Sequence, residues 1–233
     1  MFAAVYGESA THSWLREGVT DMDPYSLFVA RSTAMGWLTP ASENAAGGFW
    51  GMNGAGRDPD SDSELGSRIA WFQVSLTEPE SPVRPLPLQP FFSCIDDVLR
   101  RMVDFGLGAV QATFPVPGVV PSKSVVAALI EAGGWFADPR AEPAVRVRVT
   151  LDGEPEIGSS AADLLRWLGD VRQSVFADPS MAELTSHRIT LHGTLAEWSL
   201  PALGWLAAFL ADACARAGCG AGGPVRFTAV RFA

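Results

Sequence analysis

"AVRVRVTL" at 144–151 and "PVRFTAVRF" at 224–232 set Val, Leu or Phe at alternate positions, with Arg or Thr between. Successive side chains on a strand point to opposite faces, so this period of two places one face of a sheet in a core and the other in water. A parallel sheet buried on both faces would read as a continuous apolar run instead, so the pattern favours an antiparallel or mixed sheet.

Segments 69–77, 107–116 and 187–198 also read as strands, and "FAAVY" at 2–6 can be another. Helices fit between them at 91–105, 122–132, 160–176 and 201–217. Ser159 or Ser160 can cap the third, Pro201 sits in the first turn of the fourth, and glycines follow the other three. "PYSLFVARSTAMGWL" at 24–38 reads as either a helix or a strand.

The expected fold class is α+β, a mixed, largely antiparallel sheet with helices packed on one face. Two arrangements satisfy it. One is a duplicated ferredoxin-like chain, β-α-β-α-β twice, with an N-terminal half at 1–117, a linking helix within 118–143 and a C-terminal half at 144–233. The other is a single continuous sheet of mixed direction. An edge strand at 224–232 would offer a homodimer contact.

The chain has 233 residues, 48% of them hydrophobic and 18% charged, enough for a substantial core and too apolar for general disorder. A formal charge of −9 argues against nucleic acid, which needs clustered Lys and Arg. Lys123 is the only lysine, a bias typical of high-GC genomes. The apolar run 200–215 is interrupted by Pro201 and Asp212 and reads as a buried helix, so no membrane span is expected. The opening residues lack the basic and apolar regions of a secretory signal, and Cys94, Cys214 and Cys219 read as free thiols. A cytoplasmic location is the expectation.

Residues 39–66 carry no period and read as a long functional loop, a candidate lid. Their glycines are not followed by the helix that a dinucleotide site requires. Asp58, Asp60, Asp62 and Glu64 imitate the start of a calcium loop, but Ser63 and Ile69 stand where glycine and a bidentate Glu are needed. No cofactor and no metal are therefore expected.

His192 shares a strand face with Arg188, Thr190 and Thr194, whereas Glu197 falls on the other side unless Gly193 carries a bulge. His192 and His12, the latter in a polar loop after the first strand, are the candidate proton carriers. Eight tryptophans are many for this length. Trp14, Trp37 and Trp50, with Phe49 and Met52, lie where no pattern buries them and are the candidate walls of an apolar pocket. The functional expectation is a small-molecule-binding protein, a cofactor-independent enzyme of the cyclase, isomerase or oxygenase kind acting on a hydrophobic metabolite such as a secondary-metabolite intermediate. The alternative is a non-catalytic protein-interaction or immunity-type module whose acidic surface meets a basic protein partner.

Overall fold

The computed structural model describes residues 1–16, 23–38, 50–57, 62–76, 86–116, 119, 121–137, 143–154, 157–219 and 223–232. In chain order its elements are β1 (Phe2–Thr11), α1 (Ser13–Arg16), α2 (Pro24–Ala34), β2 (Trp50–Gly56), β3 (Asp62–Ser63), β4 (Gly66–Leu76), α3 (Leu88–Met102), β5 (Val103–Pro115), α4 (Lys123–Gly133), β6 (Val145–Gly153), α5 (Ala161–Asp170), β7 (Phe176–Leu184), β8 (Arg188–Leu195), α6 (Leu200–Ala217) and β9 (Pro224–Arg231).

The strands lie in the order β2-β4-β1-β5-β9-β6-β8-β7, and short β3 pairs with β4. Every pairing is antiparallel. The fold is α+β, as the alternating strands require. In each half the first strand is flanked by the last two strands of that half, and β5 meets β9 at the join.

Three expectations need correction. β9 is not an edge: it is paired on both sides, with β5 and with β6, and so has no free edge for a second copy. The true edges are β2 and β7. The N-terminal half also has two strands more than expected, β2 and the two-residue β3, and the C-terminal half has one more, β7. The helix expected over 160–176 stops at Asp170, and β7 begins at Phe176 in a stretch with no strand expected, containing Pro179 and Asp178 with φ 51°. A proline and a left-handed residue belong on an edge, where they spoil alternation and discourage further pairing. Finally, β2 (WGMNGAG) lies inside the supposed loop 39–66, because its glycines have a steric job: a Cβ on Gly54 or Gly56 would come within 3.0 or 2.8 Å of the Trp71 ring laid across them.

The helices cover one face. α3 packs on α6 at the centre, with α2 outside α3 and with α4 and α5 against α6. The segment 24–38 is thus helical, its Asp23 cap accepting from the Ser26 amide at 2.7 Å. α6 starts at a Ser199 cap, carries Pro201 in its first turn and ends at left-handed Gly218. It is long and apolar enough to cross a membrane but is mostly buried within the protein. Val147, Val149 and Leu151 of β6, Ile189 and Leu191 of β8, and Val225, Phe227 and Ala229 of β9 face these helices, all fully buried. Buried indoles keep their N–H groups satisfied: Trp205 donates to the Leu129 carbonyl at 2.6 Å and Trp198 to that of Leu107 at 2.7 Å.

The α3–α6 crossing depends on Gly204, where a Cβ would sit 2.6 Å from the Phe92 Cβ. Gly204→Val is expected to cost about 1–3 kcal/mol by overpacking. Urea unfolding checks this, and an unchanged midpoint would show that the two helices do not meet there.

Candidate functional site

The face of the sheet away from the helices is built by the other parity of the same strands. Register lays its side chains out in rows. One row runs Trp71 (β4), Ala4 (β1), Gln111 (β5), Thr228 (β9), Thr150 (β6), Thr190 (β8), Glu183 (β7). A neighbouring row runs Gln73, Phe2, Thr113, Arg226, Asp152, Arg188, and on the other side lie Arg68, Tyr6, Ala109, Val230, Arg148, His192 and Ser180. The aromatic residues of this face, Phe2, Tyr6 and Trp71, thus lie in the N-terminal half beside Arg68, Gln73, Gln111 and Thr113, and the C-terminal half carries Arg148, Arg188, Arg226 and three threonines with Asp152 and Glu183.

The apolar end is a small cluster of Ala4, Tyr6 and Ala109 with Phe2, Leu65, Trp71 and Val230 packed against it. Trp71 stacks beside Phe2, centroids 6.3 Å apart. The polar end is a hollow of about 350 Å³ whose lining includes Gln111, Arg148, Thr150, Thr190, Arg226 and Thr228. Glu64 and Leu65, in the β3–β4 turn, form its rim. A second hollow of about 790 Å³ adjoins it, sharing Asp152, Arg188 and Arg226 and adding His187.

Arg188 donates to the Asp152 carboxylate at 2.6 Å, and that bond, with Glu183 and Glu64 near by, raises its pKa further. Gln111 Nε2 donates to Thr228 Oγ1 at 3.5 Å, and the Thr150 and Thr190 hydroxyls are 3.4 Å apart. Both contacts are long, so these hydroxyls are only loosely engaged with the protein.

His192 is on this face, as its parity requires, between Arg148 and Ser180 in the register and with its ring 4.8 Å from that of Phe232. The β6–β8 register runs through Gly193 without a shift, and Glu197 lies beyond the strand, accepting a hydrogen bond from Ser199. The two are not partners. His12 lies just past the end of β1, eight residues beyond Ala4 and thus on the order of 25 Å along the strand. Its ring is 3.6 Å from Asp104 and 3.3 Å from the Arg100 carbonyl, so the structure does not bring it together with His192.

The structure does not gather the expected tryptophans around a cavity. Trp37 stands edge-on to Phe28 and Phe91 at 5.9 and 6.1 Å, with its N–H on the Cys94 sulfur at 3.3 Å. Trp50 is buried and Met52 packs on the same core, while Trp14 is half-buried in α1. Phe49 lies outside the described residues, as do most of the proposed lid and Asp58 and Asp60. Trp37 packs on the core because α2 is a helix and folds the turn after it against α3, whereas Trp14 stays only half-buried. Trp71, which sequence reasoning passed over, is the indole that faces outward from the sheet; the two glycines of β2 beneath it were the available signal.

Two hollows lie on the helical side. One, about 260 Å³, is apolar and walled by α3, α4 and α6, with the buried Asp212 carboxylate held by Arg216 at 2.5 Å. The other, between α2 and α3, is spanned by Arg31 and Asp97 at 2.6 Å. Cys214 and Cys219 share a hydrogen bond that, with burial, pushes the Cys214 thiol well up, and the same bond draws the Cys219 thiol down against the opposing effect of its burial. Among the described residues no group of three His, Cys, Asp or Glu side chains is placed to hold a metal. Comparison with known proteins finds no family model, no curated protein and no solved structure that this chain matches.

The face assignment is tested by adjacent residues of β6. Leu151→Ala, toward the helices, is expected to cost about 2–5 kcal/mol. Asp152→Asn, toward water, should cost about 1 kcal/mol or less, because its ion pair is partly exposed. Equal costs in urea unfolding would mean that both faces are buried.

Proposed function

We propose that this chain is a small-molecule-binding protein that seats a hydrophobic metabolite on the outward face of its sheet, the body on Phe2, Tyr6, Trp71 and Leu65 and a polar end toward Thr228, Thr150 and the arginines. The observation that carries this reading is the single cross-strand row in which Trp71 and the Thr228–Thr150 pair stand three and four strands apart. At about 4.8 Å per strand that distance is roughly 14–19 Å, the length of an elongated amphipathic molecule. Apolar walls supply the affinity and a few fixed polar groups the orientation.

This reading keeps the small-molecule expectation and moves its site from the N-terminal tryptophans to the sheet. Strands suit the purpose because register holds each side chain in place without loop ordering. His192, in the row next to the threonines, supplies a proton-transfer group at the polar end, and cofactor-independent chemistry on an unsaturated substrate would run through it.

Pyrene-labelled compounds test the reading by fluorescence anisotropy. Binding should saturate, and Trp71→Ala should weaken it about fivefold to tenfold, the loss of one stacked aromatic contact. Wild-type affinity in that variant would reject the site. One observation favours the protein-interaction alternative: Trp135, just after α4, is 81% exposed. On that reading Trp135→Ala abolishes capture of a protein partner and leaves pyrene binding unchanged.

A further inference from the structure

Within the site proposed above, and resting on that reading, we infer that the hollow between Arg148 and Arg226 is a subsite for a compact oxyanion, a carboxylate or phosphate carried by the ligand. Register fixes its plan. Arg226 of β9 stands opposite Asp152 of β6, Thr228 opposite Thr150, and Val230 opposite Arg148. The two arginines therefore stand at diagonal corners, four residues apart along the strands or about 13 Å. The Thr228–Thr150 pair lies midway between them. Both line the same hollow, and long side chains anchored at opposite corners can lean their guanidinium groups over its floor.

Three carboxylates, Glu64, Asp152 and Glu183, line the hollow beside its three arginines, so which of these charges are paired decides what it can hold. Arg188 is committed to Asp152, with Glu64 and Glu183 adding to its acidic surroundings, and Arg146 lies over the Phe232 ring at 5.5 Å. Arg148 and Arg226 make no ion pair among the described residues. This is not for want of acids, because Asp and Glu number 26 against 17 Lys and Arg. Asp152, the cross-strand neighbour of Arg226, is turned to Arg188 instead. The floor adds neutral donors. The Gln111 amide and the hydroxyls of Thr228, Thr150 and Thr190 touch one another only at 3.4–3.5 Å and can each turn a hydrogen toward an oxyanion above them. Guanidinium groups suit that guest because they match the spacing of its oxygens and stay charged at every working pH. Leu65 and Val230, in the same lining, join the subsite to the aromatic wall.

The test compares pyrenebutyrate with its uncharged analogue pyrenebutanol on the full chain, wild type against the double variant Arg148→Gln/Arg226→Gln, with Arg166→Gln on α5 as a charge control. Wild type and the control should bind the carboxylate about tenfold or more tighter than the alcohol. The double variant should lose that preference and keep its affinity for the alcohol, its fold checked by an unchanged melting temperature. Inorganic phosphate should displace pyrenebutyrate and spare pyrenebutanol. Equal affinity of wild type for acid and alcohol overturns the oxyanion subsite while leaving the aromatic seat intact. If neither pyrene compound binds but phosphate raises the melting temperature of wild type and not of the double variant, the subsite stands and the seat on Trp71 falls. No response to any of the three overturns both.

Discussion

The pairing of β5 with β9 is the contact on which the rest of the molecule depends. Each half places its last strand at one margin of its own four strands, and these two margins zip together from Ala109↔Val230 to Pro115↔Pro224. Because the pairing is in phase, residues that point to the helices in one half adjoin residues that point to them in the other: Val110, Ala112 and Phe114 beside Ala229, Phe227 and Val225. A slip of one residue would turn the buried set of one half into water. The in-phase join lets five helices share one core and leaves the opposite parity as one continuous surface.

That surface is where the two halves differ in chemistry, and it is why the join matters for the function proposed. Ala4, Tyr6 and Trp71 come from the N-terminal strands, whereas Arg148, Thr150 and Thr228 come from the C-terminal ones. The aromatic side chains come from one half and the Arg148, Arg188 and Arg226 cluster from the other. Across the join they stand at spacings set by the strand repeat, on main chain already hydrogen-bonded on both sides. Such a surface needs little ordering when a guest arrives, which lowers the entropic cost of binding.

Much of the scaffold was legible in the chain. Alternation in β6, β8 and β9 identified strands with one wet face and placed His192 correctly beside Arg188 and Thr190. First-turn and stop chemistry located α6 almost to the residue, through Pro201 and Gly218. The failures were local and physical. β2 and β7 are edge strands with one unpaired side, so their residues answer to a glycine seat or a proline rather than to a two-sided core. In β4, Ile69 and Ala70 are both buried where the register against β1 shifts, and this breaks the parity that would have turned Trp71 outward on paper. Trp37 and Trp50 looked homeless only because α2, which helps to bury them, has too weak a pattern to declare itself.

By itself the sequence determined the class of fold, four of the five long helices and which side chains of the regular strands would turn from the core, because period and capping act within a few residues of one another. Only the tertiary structure decided which strands lie side by side. Thr228, Thr150 and Gln111 are scattered over more than a hundred positions, and Arg148 and Arg226 are nearly eighty apart. Their meeting over one hollow follows from strand order and register, long-range hydrogen-bonded choices that no local pattern encodes.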